Sequence, residues 1–362
     1  MDLYKYLQQR ENALKNRIKN IKDLKVFDFN YLPPQPLLRE EIKPIIDALL
    51  KYDQTKIPTN LAIFGSRGSG KTIMLKFLKK SLEQKTSITF LYTNVRNSNT
   101  TFKILAEILH LKPRGISLNE MFEKFAKRYI IKTVVILDEI DLLSPKDKNK
   151  EILYLLSRST NNYMTIMLSN NARFLNEIDQ STKSTLQPQI IHFKNYDSIQ
   201  IYKILKQRAK TGLKQYKPEQ LQQISALTVK DTSGDVRVAI KTLFYLATGE
   251  ENSVEDCFEK AKRDIYIDLI QDLNDKNLLI LRAAQKAEKN NVKEVYSIYI
   301  KISEEFKEQP YSYVYFYNNL SYLQSLGLIL LASAKFGRTY TNRIALLFNP
   351  KILDTIFKNR FY

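Results

Sequence analysis

Apolar positions at the start of the chain fall at Leu3, Leu7, Leu14, Ile18 and Ile21, between basic residues. That spacing predicts an amphipathic basic helix over residues 1 to about 25, expected to pack on the main domain. Pro33, Pro34 and Pro36 then break the periodicity and mark an extended segment, and from Arg39 to Lys51 the helical spacing returns. Next, short apolar runs alternate with longer helical stretches. Asn60–Phe64 precedes a glycine-rich turn and a helix from about Lys71 to Gln84, and Ile88–Asn94 precedes a helix over Thr101–Leu109. Thr133–Asp138, Met164–Ser169 and Ile190–Phe193 repeat the strand pattern. Short, wholly apolar strands interleaved with helices predict a parallel sheet covered on both faces, an α/β fold. Past residue 195 the strands stop and helical periodicity runs to about 265.

The last part of the chain changes character. Helices are predicted around 276–289 and 292–307, followed by Pro310 and a tyrosine-rich helix from about Tyr311 to Gln324 that stops at Gly327. Leu328–Ser333 and Asn342–Phe348 read as two strands around the basic turn AKFGRTYT, with Gly337 at its centre. Three helices followed by a hairpin with a basic tip make the winged form of the helix-turn-helix. The pattern therefore divides into an α/β segment (1–195), an all-helical segment (196–268) and a winged helix (269–362).

Composition narrows the function. At 362 residues the chain exceeds one ordinary core. Cys257 is the lone cysteine, which excludes an internal disulfide and a cysteine metal cluster, and His110 and His192 lie too far apart in sequence to form a ligand pattern. Apolar runs such as Val134–Leu137 are too short to span a bilayer, and no apolar signal opens the chain. A cytoplasmic protein without a membrane partner is expected. Fifty-seven Lys and Arg against 38 Asp and Glu leave a formal charge of +19. That surplus suits a polyanion, because each neutralised phosphate releases counterion. A solvated lysine-rich surface gives the same total, so position must separate the two.

One stretch carries definite chemistry. Gly65, Ser66, Arg67, Gly68, Ser69, Gly70, Lys71 and Thr72 spell GSRGSGKT, a full match to G-x-x-x-x-G-K-[ST], between a predicted strand and a predicted helix. Glycines let backbone N–H groups fold around phosphates at a helix N-terminus. Lys71 is placed to bridge the β- and γ-phosphates of ATP, and Thr72 to hold Mg²⁺. VVILDEID at Val134–Asp141 ends a buried strand in Asp138, suited to Mg²⁺, and Glu139, suited to polarise the attacking water. Asn170, at the end of TIMLSN, sits where a side chain can orient that water, or it caps a turn. Arg237, in SGDVRVAI, either reaches a γ-phosphate from the helical segment or is a surface arginine.

Together the P-loop, DEID, SNN-x-x-FL, SGD-x-R-x-AI, SYLQSLGLI and FGRT, in this order, resemble the archaeal origin-binding initiators. These are AAA+ ATPases related to the large subunit of the origin recognition complex and to its helicase-loading partner. The resemblance runs from about Tyr31 to the end. It implies an AAA+ P-loop parallel-sheet domain with a helical lid and a C-terminal winged helix. ATP or ADP with Mg²⁺ would be the cofactor, and double-stranded origin DNA the partner. The replicative helicase and paralogous initiators are further implied partners, for a chain expected to be monomeric in solution and associated with the nucleoid. Tyr31, Pro33 and Arg39 match the segment that lies over the adenine. Gly65–Thr72, Asp138 with Glu139, Asn170 and Arg237 match the P-loop, Walker B and the two sensors. Lys112 and Arg114 fall in the insertion that touches DNA. Lys335, Gly337, Arg338, Thr339 and Arg343 fall on the wing, and Tyr313 begins the recognition helix.

One departure stands out. Where the family carries Asp-Pro-Arg, whose arginine completes a neighbour's site, this chain has Asp179, Gln180 and Ser181. Lys183, two positions on, lacks the planar fork of an arginine. Such an arginine supplies about 10³–10⁵ in rate, so slow ATP turnover with little stimulation by self-association is expected. An ATP-switched origin binder, an initiator-derived DNA-binding regulator and a clamp-loader-type ATPase all remain open, with the winged helix arguing against the last.

Overall fold

The computed structural model describes the chain except residues 1, 2, 113, 114, 145, 146, 148, 149, 172, 173, 250, 252, 337, 338 and 362; it also leaves undescribed the side chains of residues 9, 12–17, 334–336 and 339–341. Two compact units divide the chain. One is the α/β unit, Leu32–Gly65 with Ser69–Asn195; the other, helical unit holds Met1–Tyr31, Ser66–Gly68 and Tyr196–Tyr362.

Helix α1 (Leu3–Arg17) opens the helical unit and is shorter than its sequence pattern predicts. Two 3₁₀ turns, Ile18–Asn20 and Leu24–Phe27, replace the expected continuation to residue 25. Asp23 breaks the helix by capping the second turn, where its carboxylate accepts from the Lys25 N–H (2.9 Å). The side chains of Leu3 and Leu7 are 70% and 55% exposed.

In the α/β unit, α2 (Lys43–Thr55) leads to β1 (Leu61–Gly65), α3 (Lys71–Leu82), β2 (Thr89–Asn94), α4 (Thr101–Leu109), α5 (Leu118–Arg128) and β3 (Thr133–Asp138). Then follow α6 (Glu151–Ser157), β4 (Met164–Ser169), α7 (Gln180–Leu186) and β5 (Gln189–Phe193). The strands form one parallel sheet in the order β2-β3-β4-β1-β5. Because side chains alternate along a strand, each apolar run feeds two cores. Leu61, Ile63, Val134, Ile136, Ile166 and Leu168 face Ile45, Leu49 and Tyr52 of α2 and Met74, Leu75 and Leu78 of α3. Ala62, Phe64, Val135 and Leu137 face the other way, onto side chains such as Leu105, Phe125 and Leu153 of α4, α5 and α6. Buried Asn60 locks the entry to β1, donating to the Leu186 carbonyl and accepting from the Thr165 N–H, both at 2.8 Å.

The helical unit continues with α8 (Ser198–Gly212), α9 (Pro218–Thr232), α10 (Val236–Thr248) and α11 (Val254–Gln271). After these come α12 (Asp275–Lys286), α13 (Val292–Glu305), α14 (Tyr313–Ser325), the hairpin β6 (Ile329–Phe336) and β7 (Thr339–Leu346), and α15 (Pro350–Phe361). One core runs through α10–α15, from Phe258 and Ile265 through Leu279, Tyr299, Phe316 and Ile344 to Leu353 and Phe357. The hairpin strands extend further towards the turn than the sequence pattern predicts. Antiparallel pairing runs from Ile329↔Leu346 to Phe336↔Thr339, so most of the basic segment is strand. No helix among the described residues is long and apolar enough to cross a membrane.

Between α9 and α10, Gly234 adopts a left-handed φ of 82°, and a Cβ there would lie 2.4 Å from the Tyr196 carbonyl oxygen. Backbone cannot yield as a flexible side chain can. Gly234→Ala is expected to destabilise the helical unit by about 1–3 kcal/mol, read as a lower urea midpoint.

Candidate functional site

The carboxyl ends of β3, β4 and β1, adjacent in that order, bring three segments of the chain together. Ligands of open α/β sheets sit at this edge, and the main sequence candidates of the α/β unit meet there. After β1, Gly68 (φ 72°) and Gly70 (φ 86°) take left-handed conformations that side chains resist, and Gly70 caps α3. Gly65 is held tight as well, since a Cβ on it would lie 2.7 Å from the Phe193 carbonyl. Ser69 is buried and Ser66 exposed, with Arg67 between these extremes.

Lys71, in the first turn of α3, is buried, and its ammonium donates to the Gly65 carbonyl (2.8 Å), the Asn170 amide oxygen (2.9 Å) and Ser69 Oγ (3.4 Å). A cation is thus fixed among neutral oxygens, beside the backbone loop. Asn170 is fixed in turn, its N–H donating to Asp141 Oδ1 (3.3 Å). Burial pushes the Asp141 carboxyl up, while hydrogen bonds from Ser169 and Asn170 pull it down.

Asp138 ends β3 almost wholly buried. Its Oδ2 accepts from the Thr72 hydroxyl (2.9 Å) and the Tyr92 phenol (2.7 Å). Burial raises its pKa above the usual carboxylate range; the Tyr92 and Thr72 hydrogen bonds and the charge of Lys71 oppose that rise, and the charge of Glu139 adds to it. Tyr92 is itself pushed up, by burial first and then by Asp138, so it stays a donor at neutral pH. Hydroxyl and carboxylate oxygens within 2.9 Å of each other form a hard donor set of the kind Mg²⁺ takes.

Glu139 sits just past the strand in a left-handed conformation (φ 54°, ψ 44°), a conformation that costs a non-glycine residue on the order of 1 kcal/mol. The Arg96 guanidinium holds its carboxylate through an ion pair at 3.0 Å. Sequence reading missed Tyr92, Arg96 and Asp141. Tyr92 and Arg96 meet Asp138 and Glu139 only because β2 pairs with β3, Asn94 opposite Asp138.

Arg39 is buried, and it donates to the carbonyls of Ser69 (2.8 Å) and Lys194 (2.7 Å) and pairs with Glu41 at 2.7 Å. It therefore ties the segment before α2 to the P-loop backbone. Pro33 is buried in the same unit. Tyr31 belongs to the helical unit, where Arg208 lies 5.2 Å from its ring centroid. Burial lowers the Arg208 pKa to about 10. In that unit Arg237 opens α10 and pairs with Asp235, whose carboxylate also accepts the Arg237 N–H (3.0 Å). Ser181 lies in the first turn of α7 and accepts a hydrogen bond from Arg158 (2.6 Å), a neighbour the sequence did not reveal.

Of the candidates for DNA, Lys112, Tyr313 and Arg343 are exposed. Arg114, Gly337 and Arg338, and the side chains of Lys335 and Thr339, lie outside the described residues.

Residues 56–173 match the family model described as an AAA domain. The chain is 30% identical over 320 residues to the ORC1-type DNA replication protein 1 of Sulfolobus acidocaldarius, covering 80% of each chain. Among solved structures, the Aeropyrum pernix ORC1 protein in complex with DNA matches with a TM-score of 0.69 at 21% identity, over 94% of this chain and 97% of that one. The Aeropyrum pernix ORC2 protein, solved as ADPNP–ADP complexes, matches with a TM-score of 0.59 at 24% identity, over 94% and 99%.

Proposed function

Because the chain belongs to the ORC1-type DNA replication protein family, we propose that it binds ATP at the β1–α3 loop and uses that nucleotide to control binding of duplex DNA at replication origins. The observation that carries the nucleotide half is the convergence of Lys71, Asn170, Thr72 and Asp138 at one sheet edge, behind a glycine loop with left-handed turns. A relative solved with ADPNP and ADP, and one solved with DNA, support the two halves. In this reading residues 1–195 hold the nucleotide, 196–268 form the lid and 269–362 bind DNA, and the protein helps recruit the replicative helicase.

Backbone N–H groups of Gly68–Thr72 and the Lys71 ammonium bind the phosphates. Mg²⁺, which Thr72 and Asp138 would hold, neutralises phosphate charge when bound. Glu139 accepts a proton from the attacking water, and Asn170 orients that water. Arg96 competes for the Glu139 carboxylate, which keeps turnover slow.

Affinity for DNA is expected to come mainly from phosphate contacts, so log affinity falls linearly with log salt by about 0.9 per contact. Changing Lys335, Arg338 and Arg343 to alanine together should flatten that slope by about 0.9 for each phosphate no longer neutralised. Titrations of a fluorescent duplex at several salt concentrations check this; an unchanged slope removes the wing from the interface.

Ser181 favours a second reading, an initiator-derived regulator with little turnover. Specific ATPase rate is then expected to be independent of protein concentration. A steep rise with concentration would give Arg158, beside Ser181, the role of the missing arginine.

A further inference from the structure

Helix α14 contains no lysine or arginine. Phe316, Leu320 and Leu323 recur at helical spacing and are buried, which fixes the core face. Positions on the opposite face follow from the 3.6-residue turn: Val314, Asn318, Ser321 and Ser325. Val314 is 71% exposed. Asn318 is exposed too. Its neighbour Asn319 turns back to the Tyr315 carbonyl (2.8 Å), and Ser325 to the Tyr322 carbonyl (2.7 Å), so Asn318 supplies the outward amide.

The flank of this stripe is held still. Tyr313 meets Tyr296 edge to face with centroids 5.0 Å apart, and Tyr315 meets Tyr311 likewise at 4.8 Å. Tyr296 donates to the Tyr311 carbonyl, and the Tyr311 N–H donates to the Tyr299 hydroxyl, both at 3.1 Å. Aromatic groups already ordered lose little freedom when a ligand covers them.

Base edges in a major groove are told apart by chemistry. Arginine and lysine select guanine, a bidentate asparagine selects adenine N6 and N7, and apolar groups contact the thymine methyl. A helix with an outward asparagine and valine, and no cation, matches one of these options and lacks the other.

We propose that the Val314–Asn318 face of α14 reads A·T base pairs in the major groove, with Asn318 on adenine and Val314 on the thymine methyl, while cations outside α14 hold the phosphates. This rests on the reading that the winged helix binds duplex DNA.

The experiment starts with selection of bound sequences from randomised duplex DNA by the full chain with ATP. In the selected duplex, thymines are then replaced one at a time by uracil, which removes only the 5-methyl group, and adenines by 7-deazaadenine, which removes N7. The expected result is a selected run of A·T pairs in which one uracil and one 7-deazaadenine each weaken binding about fivefold or more. Val314→Ala should abolish the uracil effect and leave the 7-deazaadenine effect; Asn318→Ala should do the reverse. Both changes are at exposed positions, and unchanged thermal melting shows that the variants fold. A G·C-only consensus, or base effects that persist in both variants, overturns the assignment while leaving DNA binding intact. Failure to retain any duplex overturns the DNA-binding reading and this inference with it.

Discussion

Replacing Lys71 with alanine is expected to weaken ATP binding by roughly 30- to 1,000-fold without unfolding the protein. The ammonium sits buried among the Gly65 carbonyl, Ser69 and Asn170, beside the loop that would receive the phosphates. Removing one partner of a desolvated, charge-assisted contact costs about 2–4 kcal/mol, and each 1.4 kcal/mol is tenfold. Alanine suits a helix, and the fold there is carried by Met74, Leu75 and Leu78, the next buried positions along α3. Titration with a fluorescent ATP analogue measures the affinity, and circular dichroism the fold. Unaltered affinity in a folded variant would remove the β1–α3 loop from the nucleotide site.

Glu139→Gln is expected to lower ATP turnover by about 100-fold or more while leaving binding within about twofold. The amide preserves the shape of the side chain but cannot take a proton from water, and a positioned general base contributes about 10²–10⁴ in rate. The left-handed backbone at Glu139 is retained, because glutamine has a similar side chain. Arg96→Ala acts in the opposite direction. Without the 3.0 Å ion pair the glutamate is released, and turnover should rise severalfold. Single-turnover hydrolysis of labelled ATP separates these effects from binding. Equal rates for wild type and Glu139→Gln would mean that Glu139 is not the base.

Much of the candidate site was legible in the sequence. The strands could be read because a parallel sheet buried on both faces leaves uninterrupted apolar runs, and Thr133–Asp138 and Met164–Ser169 match to the residue. Lys71, Thr72, Asp138 and Asn170 lie at strand ends or the first helical turn, where sequence position alone fixes the edge of the sheet. Tyr92, Arg96 and Arg158 were invisible for a physical reason. Their contacts depend on which segments lie side by side, and no local pattern encodes that order. Errors at the chain's start had a different origin. The spacing of Leu3 and Leu7 is helical, but periodicity does not say whether anything covers the face. Helix α15 was readable and overlooked: Pro350 at its start and Ile352, Leu353, Ile356 and Phe357 on one face are ordinary helix signals.

Recognition of particular duplex sites under ATP control is the property to test. Sequencing the genomic DNA fragments retained by the purified protein with ATP, at moderate salt and with competitor DNA, tests it most directly. Enrichment of a few discrete intergenic loci that share a repeat is expected, with loss of that enrichment in Lys71→Ala. Uniform retention across the genome, the same with and without ATP, would contradict the claim and leave the positive charge as a non-specific hold on DNA.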